Sequence, residues 1–138
     1  MTSQLIFWPV LTQIVLTLFV FILLGKRKAH AMKTGQVDRQ KTALDNQAWP
    51  DDVIQVSNNI QNQFQTPVLF YALCLSFFCL DAVSTTVLVL AWFYVVTRLI
   101  HAFVHVGSNY IPVRFRVFIL GCVSLIVLSV LLGLALSQ

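Results

Sequence analysis

Four long stretches with almost no charged residue constrain this 138-residue chain more than any other feature. They cover residues 5–25, 53–80, 82–106 and 113–136. A helix needs about 20 predominantly apolar residues to cross the hydrocarbon core of a bilayer. Hydrophobic residues make up 58% of the chain and charged residues only 10%, against roughly 25% charged in soluble domains. We therefore expect an all-α membrane protein whose single domain is a bundle of four transmembrane helices.

This composition excludes several other classes of protein. A soluble globular domain, a disulfide-stapled secreted domain and a disordered chain would all carry more polar residues. A membrane barrel would show short segments of alternating polar and apolar residues. A cleaved signal peptide is disfavoured for residues 5–25, because no basic residue precedes them and Lys26, Arg27 and Lys28 follow at once.

The second stretch differs from the others because its first half is rich in amides. Asparagine and glutamine recur between residues 55 and 65, and the purely apolar part covers only residues 67–80. Since that part is too short to cross a bilayer alone, the amide-rich turns must enter the membrane zone as well. Asp51 and Asp52 after Pro50 indicate the start of this helix, and Pro67 predicts a kink within it.

The distribution of basic residues predicts the orientation in the membrane. Eight of the nine Lys and Arg residues fall in residues 26–52 or near the start of the fourth stretch, and the ninth, Arg98, lies toward the same side. Cytoplasmic loops are enriched in Lys and Arg. We therefore expect residues 26–52 to form a cytoplasmic loop and both termini to lie on the non-cytoplasmic side. These charges set topology and do not indicate nucleic-acid binding.

Three polar residues in the third stretch are candidates for function. Arg98, His101 and His105 follow one another at helical spacing, which places them on one face. Ionisable residues within membrane helices usually face the bundle interior or a water-filled cavity. For Arg98 alone, snorkelling to the headgroups is an equally good interpretation. The three together favour a functional site.

The amides of the second stretch form a second candidate group. Asn59, Asn62 and Gln65 recur every third residue and share one side of a helix within a small angle. Because bare amides are costly in lipid, they should pack against polar partners. Ligand binding and interhelical hydrogen bonding fit these residues about equally well.

The types of polar residue available limit the chemistry. There is no glutamate in the chain to join His101 and His105 as a metal ligand, and Arg98 would repel a cation. No serine or cysteine has a base and an orienting group at a plausible spacing, and no glycine-rich phosphate loop is present. A small anionic ligand is the best match, since arginine pairs with carboxylates and can favour a thiolate.

The order and spacing of these residues resemble the MAPEG family, the membrane-associated proteins in eicosanoid and glutathione metabolism. The family's third helix carries R-x-x-H-x-x-x-Y, followed by a proline-bearing turn and an arginine. Arg98, His101 and Pro112 fit this pattern, and Arg114 follows nine residues after His105. Residues 59–71 are similar to the second-helix motif of a bacterial branch, N-x-x-N-x-F-E-x-P-V-L-F-Y.

The resemblance implies a homotrimer of four-helix bundles in a bacterial inner membrane, with glutathione bound between subunits near the cytoplasmic face. The resemblance also implies a glutathione-dependent transferase or peroxidase that acts on hydrophobic electrophiles. Arg114 would be its catalytic residue and would stabilise the glutathione thiolate. Arg98, His101, His105, Asn59, Asn62 and Gln65 would be the binding residues. The partners would then be further copies of the chain, membrane lipid and a hydrophobic small molecule.

Two positions depart from the family pattern, and two other functions remain as alternatives. Gln65 stands where the second-helix motif has an acid, and His105 stands where the third-helix motif has a tyrosine. A non-enzymatic relative that binds a lipid or another anion would tolerate both changes. A small drug-efflux transporter also has four spans, but those proteins carry an acidic residue in the first span, which residues 5–25 lack.

Overall fold

Helices account for nearly all of the fold. The computed structural model describes residues 3–137, and within that range it contains helices and turns but no strand. A 3₁₀ turn at Ser3–Ile6 leads into the first of the α-helices, and a second 3₁₀ turn lies at Asn46–Ala48. The helices are α1 (Phe7–Lys33), α2 (Arg39–Thr42), α3 (Asp51–Gln63), α4 (Thr66–Cys79), α5 (Thr85–Val106) and α6 (Ile111–Leu136).

Three segments are long and apolar enough to cross a membrane. They are Ser3–Lys33, Thr85–Val106 and Ile111–Leu136. Most of their large apolar side chains point outward, as helices surrounded by lipid require. The predicted all-α membrane fold is therefore confirmed.

Helix α1 continues beyond the first apolar stretch. We expected a loop from residue 26, but the chain stays helical to Lys33. Lysine, arginine, alanine and methionine are all good helix formers, so nothing in this segment ends the helix. The last helical residue is Lys33, and the chain turns away two residues later at Gly35, which has a φ of 68°. Here the Gln36 amide donates to the Ala31 carbonyl and the Gly35 amide to that of Met32, a Schellman motif.

The second apolar stretch is two helices rather than one. We expected a single helix with a kink at Pro67, but the chain leaves helical geometry two residues earlier, at Gln65, where φ is −101° and ψ is −99°. Proline has no N–H to donate to the carbonyl four residues before it, which weakens the helix at this point. Helix α3 therefore ends at Gln63, and α4 begins at Thr66 with proline in its first turn.

The α3–α4 pair runs beside α1 over most of its length. At one end the Arg27 guanidinium of α1 donates to the carbonyl of Asp52. At the other end the Ser3 hydroxyl donates to the carboxylate of Asp81, just after α4. Each of the two helices, with 13 and 14 residues, is shorter than a bilayer crossing requires. Together they cover the same distance as the neighbouring spans.

Helix α5 packs against α1, α3 and α6 and contributes more buried side chains than any other helix. The apolar core lies in the half of the bundle that contains the Asp81 turn, where Phe70 stacks on Tyr94 with 4.6 Å between ring centroids. Polar side chains are buried in the other half. The end of the bundle in this polar half contains the C-terminal ends of α1 and α5 and the N-terminal ends of α3 and α6. We call it the basic end.

Candidate functional site

A groove of about 200 Å³ opens toward the basic end, between α3, α5 and α6. Its polar groups are an amide, an imidazole and a guanidinium, and the rest of its wall is apolar. The lining residues are Asn62, His101, Ile111, Arg114, Phe115 and Phe118. The groove therefore combines a guanidinium with aromatic and aliphatic side chains, which suits an amphipathic ligand with an anionic group.

Arg114 lies in the first turn of α6, where no acidic residue accompanies it. A cation at this position opposes the positive end of the helix dipole, so it gains nothing from the helix itself. Its guanidinium instead donates a hydrogen bond to the side-chain oxygen of Asn109, in the turn before the helix. This hydrogen bond holds one cation beside the groove.

The three polar residues of α5 lie on one buried face, as their spacing predicts. Arg98 is 2% exposed, His101 3% and His105 4%. The two imidazole rings meet edge to face with 5.5 Å between centroids, and the His101 ring also lies 6.0 Å from that of Phe118. Of the three, His101 lines the groove. His105 lies one turn further along α5, against His101.

Arg98 does not snorkel to the membrane surface. Its Nη2 donates to the backbone carbonyl of Asn62 at 3.2 Å, and its Nε and Nη1 have no partner among residues 3–137. Asn62 lies in the last turn of α3, where carbonyls lose their partners within the helix. The Asn62 carbonyl also accepts from the Gln65 amide at 3.4 Å, so Arg98 is its second donor at the break between α3 and α4. This cation lies behind the groove, inside the bundle.

The three amides expected to share a binding face are separated by the structure. Asn62 lines the groove. Asn59 is fully buried and accepts a hydrogen bond from the Gln63 amide at 3.0 Å, while Gln63 accepts one from Gln13 of α1 at 2.8 Å. Gln65 lies in the break and is exposed. Asn59 therefore bonds to Gln63 within α3 and does not line the groove, while Gln63 makes the hydrogen bond to α1.

Several residues near the site were not singled out from the sequence. Gln13 and Gln63 form the buried amide chain, and the only signal for it was that Gln13 is the single amide in the first apolar stretch. Arg27 and Gln55 donate to backbone carbonyls at the end of α5. Nothing in the sequence distinguishes Arg27 from its basic neighbours or Gln55 from the other amides.

The groups at the groove can bind an anion and stabilise developing negative charge. Arginine presents several N–H donors in a planar fork that matches a carboxylate, and a fixed guanidinium also favours a thiolate. Within the described part of the chain, no group of three or more histidine, cysteine or acidic side chains could hold a metal ion.

Comparison with known proteins identifies the family. The model of the MAPEG family matches residues 5–134, which is nearly the whole chain. No curated protein and no solved structure matches it. The match covers the three membrane-crossing segments except for two residues at each outer end, and it includes every residue of the groove. The chain is therefore a member of the MAPEG family, an integral membrane protein of the group that acts in glutathione and eicosanoid metabolism.

Proposed function

We propose that this protein is a glutathione-dependent transferase or peroxidase that acts on hydrophobic electrophiles within the membrane. The observation that carries the proposal is the groove at the basic end, which is lined by the polar side chains of Arg114, His101 and Asn62 together with aromatic and aliphatic ones. Family membership makes glutathione the first thiol to consider. The carboxylates of glutathione suit the guanidinium of Arg114, and an apolar electrophile suits the aromatic and aliphatic side chains of the groove.

In this proposal Arg114 is the catalytic residue. Its guanidinium lies near the positive end of α6, so two positive groups favour the thiolate form of a bound thiol. The thiolate sulfur attacks an electrophilic carbon, a sulfur–carbon bond forms, and the leaving group departs with its electron pair. With a hydroperoxide, the thiolate sulfur attacks the terminal peroxide oxygen, the O–O bond breaks, and the alkoxide takes up a proton and leaves as an alcohol. A second glutathione then attacks the sulfur of the sulfenic acid, which gives glutathione disulfide and water.

The remaining polar groups hold the peptide. Asn62 lines the groove and offers an amide oxygen and nitrogen, while His101 adds a ring nitrogen. Arg98, behind them, raises the positive potential of the site and retains two N–H groups without a partner among residues 3–137. His105 packs on His101 and supports its orientation. Gln65, exposed in the break, is free to contact a neighbouring subunit.

The size of the groove supports a site shared between subunits. Its volume of about 200 Å³ is below the roughly 300–1,000 Å³ typical of pockets for drug-sized ligands. One chain therefore supplies part of a glutathione site, and the neighbouring chains of a homotrimer supply the rest. Cross-linking in native membranes followed by denaturing electrophoresis tests this: trimers are expected, and monomers alone at saturating cross-linker contradict the shared site.

Calorimetry and thiolate absorbance test the enzymatic proposal directly. The purified protein in detergent should bind glutathione, and Arg114→Ala should abolish the thiolate absorbance and lower conjugation by roughly 10²-fold, the usual loss on removing a charge-stabilising donor. Arg116→Ala is the matched control, since Arg116 is exposed, two residues further on, and outside the groove. If the wild-type protein does not bind glutathione, the proposal is wrong.

The buried guanidinium of Arg98 also favours a second function. Arg98 has two N–H groups without a partner in the described structure, and the groove is small, which suits a simple anion or a lipid headgroup rather than a tripeptide. A non-enzymatic member of the family would then bind membrane lipid through this site. It predicts lipid retained through native mass spectrometry and no conjugation of an aromatic electrophile. Sustained turnover eliminates it.

We also propose an orientation with both termini on the non-cytoplasmic side of a bacterial inner membrane. The support is the accumulation of Lys and Arg at the basic end, which cytoplasmic segments favour. Fusions of alkaline phosphatase to the C-terminus should be active, and fusions within residues 36–45 inactive. The opposite pattern contradicts the orientation.

A further inference from the structure

The C-terminal end of α5 is held by side chains from two other helices. Its last carbonyls have no partners within the helix, as at any helix end. The Phe103 and Val104 carbonyls accept from backbone amides of the following turn, at 3.1 and 2.7 Å. The next three carbonyls, at residues 105–107, accept hydrogen bonds from side chains. Every carbonyl from residue 103 to residue 107 therefore has a donor.

Gln55 of α3 supplies two of those three hydrogen bonds. Its amide nitrogen donates to the His105 carbonyl at 2.6 Å and to the Gly107 carbonyl at 3.0 Å, so both of its N–H groups are used. Arg27 of α1 donates to the Val106 carbonyl between them at 2.9 Å. One amide thus bridges the last turn of α5 and the residue that ends it.

The chain that Gln55 fixes leads directly to Arg114. After Gly107 the backbone turns through Asn109, which has a φ of 52°, and enters α6 at Ile111. The side-chain oxygen of Asn109 then accepts a hydrogen bond from the Arg114 guanidinium. The positive φ suits asparagine better than most other residues, so the turn places that oxygen where the guanidinium reaches it.

We propose that Gln55 and Asn109 are positioning residues that together hold the guanidinium of Arg114 beside the groove. Gln55 fixes the end of α5, and through it the turn at residues 107–110. Asn109 fixes the arginine itself. Without them, a flexible cation at the positive end of α6 would move away into solvent. The proposal rests on the proposed function in one respect: the first experiment uses a bound thiol to report where the Arg114 guanidinium lies.

The first experiment measures the pH midpoint of thiolate absorbance with bound glutathione. Asn109→Gly keeps a residue that accepts the positive φ but removes the acceptor, and Asn109→Asp restores it. We expect Asn109→Gly to weaken thiolate formation about tenfold, a shift of about one pH unit toward higher pH. Asn109→Asp also adds a negative charge that opposes the thiolate, so this variant is used only in the arginine-labelling experiment below. An unshifted midpoint in Asn109→Gly overturns the role of Asn109.

The second experiment does not need glutathione. Hydrogen–deuterium exchange of the amides at residues 107–110 is compared between Gln55→Leu and Gln61→Leu in the full-length protein. Gln61 is an exposed amide on the same helix, and its side chain has no hydrogen bond within residues 3–137. Since Gln55→Leu removes two donors from the end of α5, exchange there should be at least several-fold faster than in the control. Equal rates overturn the role of Gln55.

The two experiments separate this proposal from the proposed function. If the wild-type protein binds no glutathione, the enzymatic proposal fails, while the exchange rates still decide whether Gln55 holds the turn. The role of Asn109 is then tested by the rate at which a dicarbonyl reagent labels Arg114, in place of the thiolate absorbance. Faster labelling in Asn109→Gly than in wild type, reversed by Asn109→Asp, supports the positioning role, and equal labelling overturns it.

Discussion

Helices α5 and α6 approach each other closely at Gly121, and this contact makes a quantitative prediction. A Cβ atom at Gly121 would lie 2.9 Å from Oγ1 of Thr97 and 3.6 Å from the ring of Tyr94. The Thr97 hydroxyl cannot move away freely, because it donates to the backbone carbonyl of Tyr94 at 2.6 Å. Gly121→Ala therefore forces either this hydrogen bond or the helix spacing to change.

The size of the effect follows from two opposing contributions to the free energy of unfolding. Alanine stabilises a helix interior over glycine by about 1 kcal/mol, and overpacking a well-packed contact costs about 1–3 kcal/mol. Gly133, on the same helix, has no atom within 4 Å of its added Cβ. Gly133→Ala should therefore stabilise by about 1 kcal/mol, and Gly121→Ala should be less stable than Gly133→Ala by about 1–3 kcal/mol.

Unfolding by sodium dodecyl sulfate in mixed micelles, followed by far-UV circular dichroism, measures both free energies. Thr97→Ala removes the clashing hydroxyl, so it should recover part of the loss when combined with Gly121→Ala, and a double-mutant cycle gives this coupling. Thr97→Ser keeps Oγ1 and should recover less. If the two glycine variants change stability equally, α5 and α6 do not meet as closely as described and the reasoning is refuted.

Three further predictions concern other parts of the bundle. Gln63→Leu breaks both hydrogen bonds of the buried amide chain and should destabilise the protein by about 1–3 kcal/mol in the same unfolding assay; a loss no larger than that of Gln61→Leu would contradict a buried amide chain. Arg27→Met keeps the aliphatic stem but removes the donors to α3 and α5, so limited proteolysis of the basic end should become faster, whereas Lys26→Met should have little effect. Cys79 is exposed, Cys122 partly exposed and Cys74 buried, so a maleimide should label Cys79 first; labelling of the Cys79→Ser/Cys122→Ser double variant before unfolding would contradict the burial of Cys74.

The features of the fold that depend on local chemistry could be predicted from the sequence. Proline followed by two aspartates indicates the start of α3, and α3 begins at Asp51. Glycine, serine and asparagine before Pro112 indicate a turn, and the chain turns between Val106 and Ile111. The spacing of Arg98, His101 and His105 placed them on one buried face. In each case neighbouring residues alone determine the outcome.

The partners of the polar side chains could not be predicted, because they depend on how helices meet. Arg98 binds a backbone carbonyl that is available only since α3 ends near Asn62. Asn59 and Asn62 are three residues apart, yet one faces α1 and the other faces the groove. A rotation of α3 by a fraction of a turn would exchange their roles, and sequence spacing alone does not fix that rotation.

The division of the second crossing into α3 and α4 has a consequence for how the protein enters the membrane. A translocon releases a segment into lipid according to its own hydrophobicity, and amides near the centre of a segment oppose this release. Helix α3 is short and carries most of the amides, so it cannot partition into lipid alone. One of its partners, Gln13, is synthesised before it, but Arg98 belongs to α5, which is synthesised later. We therefore expect α3 and α4 to become stable in the membrane only after α5 has emerged and supplied Arg98 as a partner.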